Sequence, residues 1–214
     1  MDKNTVAPSK IDILNSKCIN LLVSLSTKSG VNVEDISLDD NETLSVFRNG
    51  ETSNIPHFSS DFARNVLKIC NSHIKDFEDL VKIFGFCHGT DVWTDNAEHL
   101  ISNGIAFKNI IGNTEDIVDF LLSYGVDTSA AHKVMEISRR GLATRKPEAR
   151  DYINSLELEY NLPHWWIESV CKIGYVFKSD RAIECTKLAF KITYFKVHYP
   201  KIFNEVYEKY TQIK

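Results

Sequence analysis

The chain has 214 residues, is 43% hydrophobic and 25% charged, and carries a formal net charge of −4. That suits one large globular domain or two small ones, with enough chain to bury a core without disulfide or metal staples. The acidic balance argues against the broad basic footprint of a dedicated nucleic-acid binder, and no stretch approaches the ~18 uninterrupted apolar residues of a membrane span.

Residues 1–9 are polar and are expected to be disordered. Residues 10–29 hold an apolar run through Leu21, Leu22 and Leu25, closed by Gly30 as a helix C-cap. Residues 31–40 read as loop, and Asp39 or Asp40 is placed to cap a short helix ending at Phe47. Asn49-Gly50 marks a turn, and Ser59 or Ser60 can cap a helix with Phe62, Ala63, Val66 and Leu67 at helical spacing. A further helix is expected over 76–84, stopped by Gly85.

Asp95 or Asn96 is expected to start a short helix ending near Gly104, and another follows Thr114 and closes at Gly125. Thr128 or Ser129 caps the next, which finishes in Arg139-Arg140-Gly141, where cations suit the C-terminal dipole. After a charged linker over 142–150, helix is expected over 148–160, 165–174 and 180–198, the last ended by Pro200. Residues 204–214 are expected to be a tail. Strand signals are almost absent. The five cysteines form no CxxC pair, so buried free thiols in a reducing compartment are expected rather than a zinc site. The N-terminus lacks the apolar core of a signal peptide, and the expected location is cytoplasmic, with no membrane partner.

KIDIL at 10–14, GFCHGTDVWTDNAEHLI at 85–101 and YFKVHYP at 194–200 occur in this order. So arranged, they resemble the replicative DNA polymerase III of the PolC type, a family C DNA polymerase. SGVNVEDISLDDNETLSVF (29–47) is similar to a stretch at the end of that family's palm, and IPHFSSDFARNVL (55–67) to its IPEFGTEFVRQML. Lys133-Val134-Met135-Glu136 with Arg139 resembles its KIMESVRKG, and LPHWWIES (162–169) its VPEWYIDS. The resemblance covers roughly residues 10–203. It implies a mainly α, multi-helical fingers-like fold of short helices with Gly and Pro stops. The implied division is a palm-end remnant over 10–48 and a fingers-like domain over 49–203.

Family C polymerases hold two metal ions with three palm aspartates. The resemblance makes KIDIL the strand of the third, with Asp12 its counterpart, and puts the first two upstream of this segment. One carboxylate cannot hold Mg²⁺, so no cofactor is expected for the chain alone, and Mg²⁺ only within a complete polymerase site. His88, Thr90 and Asp91 are implied to face nucleotide or template, although capping helices and holding the loop would use the same residues. Ser179 and Arg181 stand where the family has a lysine and a histidine facing the incoming triphosphate, and Lys191 where it has an arginine. Asp180 and Glu184 add charge that repels a triphosphate. Lys133, Arg139, Arg140 and Lys196 are candidate DNA-phosphate contacts, with solvated helix ends as the alternative. Trp165-Trp166 reads as an apolar anchor before it reads as a base-stacking pair.

The resulting expectation is a PolC-type homologue, truncated and catalytically incompetent alone. It would act in DNA replication as a DNA-binding or replisome-interacting module, regulator or decoy. The alternative is the fingers subunit of a split DNA-directed DNA polymerase whose palm aspartates come from another chain. Primer-template, single-stranded DNA and replisome proteins are the expected partners.

Overall fold

The computed structural model describes the backbone over residues 10–212 and the side chains over 14–211. The described residues form eleven α-helices. These are α1 (Lys10–Ser29), α2 (Asn41–Arg48), α3 (Asp61–Ile69), α4 (Phe77–His88), α5 (Glu98–Ser102) and α6 (Thr114–Ser123). The others are α7 (Thr128–Arg139), α8 (Pro147–Tyr160), α9 (His164–Lys172), α10 (Ser179–His198) and α11 (Pro200–Gln212). Extended pairing among the described residues is confined to two isolated bridges, Thr90 with Tyr175 and Asn113 with Phe177. The fold is the mainly α, many-helix arrangement the sequence leads one to expect.

The chain divides into two compact units. One comprises the described residues up to Phe77 together with those from Glu184 onward; the other is Glu78–Ile183. In the first unit α1 packs against α11; α1 buries Cys18, Leu21, Leu22 and Leu25, and α11 buries Phe203 and Val206. An ion pair between Lys28 and Glu205 joins the same two helices. Phe47 and Phe190 stack at 6.1 Å between ring centroids, with Phe58 and Phe77 edge-on to them. Fully burying side chains of this size contributes about 1.5–3 kcal/mol each.

The second unit is built around Phe84 against Phe177, Phe86 against Trp93 and Phe107, and Phe120 stacked on Trp166 at 4.7 Å. The Trp pair therefore anchors α9 to α6. A second node is ionic. Lys82 Nζ donates to Asp116 Oδ1 at 2.6 Å and to the carbonyls of Ile110 and Lys108. The other Asp116 oxygen accepts from the backbone N–H groups of Gly112 and Asn113 at 2.8 Å each. Buried charges persist where each is paired and hydrogen-bonded in this way.

Four local expectations are corrected. Residues 10–14 are helical, not a strand, because they continue into the amphipathic run of α1. Gly85 does not stop a helix. It lies inside α4, where a Cβ would come within 1.9 Å of the Gly112 carbonyl oxygen, so the absent side chain admits a neighbouring backbone. Caps fall one residue early: Asn113 caps α6 and Asp127 caps α7. Residues 204–212 are not a tail but part of α11, and 213–214 lie outside the described residues. Pro200 begins that helix, a position where its missing N–H costs nothing, and Phe203, Val206, Tyr207 and Tyr210 follow at helical spacing.

Candidate functional site

The chemistry-bearing positions of the second unit meet where the His88–Asp91 loop crosses the segment before α10. Thr90 donates its N–H to the Tyr175 carbonyl at 2.9 Å and accepts from the N–H groups of Gly174 and Tyr175. The His88 ring lies 4.2 Å from that of Phe84 and 6.4 Å from that of Phe177. Asp91 takes a left-handed conformation, φ 58°, and its carbonyl accepts from the buried Asn96 side chain. The chain then passes through a sharp kink at Thr94 and Asp95 before α5. Gly141, also left-handed at φ 57°, meets Gly174 so closely that a Cβ would fall 2.0 Å from its carbonyl oxygen. This brings the C-terminal end of α7, with Arg139 and Arg140, beside the same crossing.

One step further along the chain, Ser179 is buried and fully engaged. Its hydroxyl donates to Asn113 Oδ1 at 2.6 Å and accepts from the Glu115 N–H at 2.9 Å. Thr114 Oγ1 lies 3.0 Å from that hydroxyl and itself accepts the Ser179 N–H. Asn113 in turn caps α6, and Asp116 completes a reciprocal capping box with it. Beside this clasp opens a groove of ≈ 520 Å³ between α6, α7 and the start of α10. Its charged lining is Glu115, Asp119, Glu136 and Asp180 against Arg139 and Lys178.

A profile described as the bacterial DNA polymerase III alpha subunit finger domain matches residues 15–154. The chain belongs to that family. It is 34% identical over 92% of its length to the DNA polymerase III PolC-type of Caldanaerobacter subterraneus subsp. tengcongensis, covering 15% of that protein. It is 35% identical over 94% of its length to the PolC-type enzyme of Streptococcus thermophilus, covering 14% of it. The corresponding figures for Staphylococcus haemolyticus are 34%, 89% and 14%. The chain thus spans about one seventh of the length of these relatives.

Within this finger-domain chain the expected site residues separate. His88, Thr90, Asp91, Ser179 and Arg181 lie in the second unit with Lys133, Arg139 and Arg140, whereas Lys191, Lys196 and Asp12 belong to the first. The Asp12 side chain lies outside the described residues. Among the described residues no group of three or more His, Cys, Asp and Glu side chains converges as a metal site. Arg181 is half-buried in the first turn of α10, next to Asp180, whose carboxylate accepts the Arg181 N–H.

The basic candidates are engaged internally. Arg139 sets its guanidinium fork on Glu136 at 2.7 and 2.8 Å, and Arg140 reaches the same carboxylate at 3.2 Å. Hydrogen bonding from Arg139 holds the Glu136 carboxyl below its usual range. Half-exposed pairs of this kind are worth about 0.2–1 kcal/mol, which lowers the availability of the fork without sealing it. Lys133 lies 3.5 Å from the Tyr152 ring centroid as a cation–π contact. Lys191 is buried with its ammonium 3.4 Å from Glu34. Lys196 donates to the carbonyls of Glu51 and Ser53, and desolvation lowers its pKa.

The Asn113 clasp and the Lys82–Asp116 node were not anticipated from sequence. The pattern Asn113-x-x-Asp116 is itself a capping-box signal and would have revealed half of the clasp. Its closure by Ser179, 66 residues further on, leaves no local signal.

Proposed function

We propose that this finger-domain chain acts in DNA replication as a replisome-interacting module that does not itself receive a nucleoside triphosphate. The observation that carries this reading is the closed hydrogen-bond set of Ser179. The resemblance puts a triphosphate-facing lysine at that position. Here a short neutral side chain is satisfied by Asn113, Thr114 and Glu115 and has no charge to offer a phosphate. The adjoining groove supports the same reading, because exposed Glu115, Asp119 and Asp180 repel an anion there. DNA contact is the weaker part of the role, since Lys133, Arg139, Lys191 and Lys196 each have an internal partner. Under this reading Mg²⁺ belongs only to a complete polymerase site with carboxylates from elsewhere.

The test uses the purified chain. Calorimetry with deoxynucleoside triphosphates and Mg²⁺ is expected to show no binding, and anisotropy with primer-template only weak, salt-sensitive binding. Added to a PolC-type polymerase in a primer-extension assay, the chain is expected to change the rate or processivity. Tight triphosphate binding, or template-directed incorporation once a palm-bearing chain is supplied, would overturn the proposal. That result would establish the fingers subunit of a split polymerase instead.

A further inference from the structure

We infer that the groove between α6, α7 and the first turn of α10 docks a cationic amphipathic segment of a partner protein. An apolar side chain of that segment enters the groove, and lysine or arginine side chains meet its rim. The inference rests on the reading above that no nucleotide occupies this place.

The groove's ≈ 520 Å³ falls within the roughly 300–1,000 Å³ of ligand-sized pockets. Val118, Met135 and Ile183 supply its apolar wall, and Ile183 stays 38% exposed on the described surface. A methionine in such a wall adapts to varied apolar shapes. Three exposed carboxylates, Glu115, Asp119 and Asp180, border it. The lining cations do not balance them. Arg139 is engaged bidentately by Glu136, which leaves Lys178 against three acids.

Two helices begin here, and helix N-termini ordinarily attract anions. In this chain Glu115 and Asp180 already stand in those first turns, and Ser179 and Asn113 cap the α6 amides. The anion-attracting groups are therefore met from within. What faces outward is apolar wall with negative rim. Charge complementarity selects a cationic occupant, and the wall selects one with an apolar face, as in helix-in-groove recognition.

The probe is a short fluorescein-labelled helical peptide of leucine and lysine, titrated into the full chain by anisotropy. Methyl NMR of Val118, Met135 and Ile183 reports the location. Saturable binding that shifts these methyls is expected, weakening with salt and falling about tenfold in an Asp119→Lys/Asp180→Lys variant. A leucine–glutamate peptide is expected not to bind. Ile183→Ser, which keeps every charge, is expected to weaken binding through loss of the apolar anchor. Circular dichroism checks that both variants fold.

Unchanged affinity in both variants, or equal binding of the glutamate peptide, would overturn the docking site. If a deoxynucleoside triphosphate shifts the same methyls, this inference and the proposed function fall together. If the lysine peptide leaves the methyls unmoved while the chain still alters primer extension, only the docking site falls.

Discussion

Gly85→Ala sets two well-measured tendencies against each other. Glycine inside a helix costs about 1 kcal/mol relative to alanine, so propensity alone favours the substitution. The packing of α4 opposes it. The new Cβ would sit 1.9 Å from the Gly112 carbonyl oxygen and 2.5 Å from its carbon, so the two backbones must part by more than 1 Å. Gly112 cannot move freely. Its N–H is held by Asp116, its own Cα faces the Lys82 backbone, and both residues belong to the buried ionic node. Overpacking costs typically 1–3 kcal/mol, and weakening the node adds to it, for a net loss of about 2 kcal/mol or more. For a chain of this size that lowers Tm by about 4–8 °C. All three tryptophans, Trp93, Trp165 and Trp166, lie in the Glu78–Ile183 unit, so fluorescence reports the unit concerned. Gly104→Ala is the control, with φ 76° but no atom within 4 Å of the new Cβ; it is expected to cost about 1–2 kcal/mol through left-handed strain alone. A Gly85→Ala chain as stable as wild type, or no less stable than Gly104→Ala, would refute the close-approach argument.

Other perturbations probe separate parts of the structure. Lys82→Met leaves the Asp116 carboxylate without its buried counter-charge and is expected to cost about 3–5 kcal/mol in urea unfolding followed by tryptophan fluorescence. Burial pushes the Cys18 and Cys70 thiols up to about 12, so a thiol reagent at neutral pH is expected to modify the half-buried Cys87 first and the four buried cysteines only on unfolding, as peptide mapping would show. Asp40→Ala removes the α2 cap and is expected to cost about 1 kcal/mol. Burial alone would raise the Asp40 carboxyl, but hydrogen bonds from Thr43 and His198 outweigh it and hold it below 3.8. A depressed carboxyl contributes stability above its unfolded pKa and loses it as pH falls through the folded one. The difference between wild type and Asp40→Ala should therefore shrink in acid-denaturation curves below about pH 4.

The features legible in the sequence are those whose causes lie within one turn of chain. Gly30 after α1, Asp40 before α2 and Ser60 before α3 are set by a few adjacent dihedrals and one hydrogen bond each, and all are where the pattern indicates. The displaced caps are a failure of ranking rather than of mechanism. Asn113-Thr114 and Asp127-Thr128-Ser129 each offer several competent oxygens in succession, and the first of them caps. Pro200 ends α10 at His198 as the pattern indicates, and it also begins α11, which only the apolar spacing beyond it reveals. Gly85 carries no local sign of its role, because its reason is Gly112, 27 residues away.

The candidate site was legible in family and opaque in chemistry for the same reason. The HGTDVW block and its neighbours carry the finger-domain resemblance directly, and nothing about packing is needed to see it. Whether a polar side chain is free to act depends on its partners, and here these are far along the chain: Asn113 for Ser179, Glu34 for Lys191, the Glu51 and Ser53 carbonyls for Lys196. These partners bear on what a reverted residue could do. Ser179→Lys would restore the residue type the resemblance puts at this position, yet it would remove the hydroxyl that closes the α6 cap and bring a long cation to the Asn113 clasp. Restoring triphosphate affinity would therefore require relieving the clasp and the Glu115–Asp180 rim together. A single Ser179→Lys change should destabilise the second unit in thermal melts without creating measurable nucleotide binding by calorimetry. If it gained triphosphate affinity at unchanged stability, the clasp would be incidental, and the case for a chain that works without nucleotide would lose its main support.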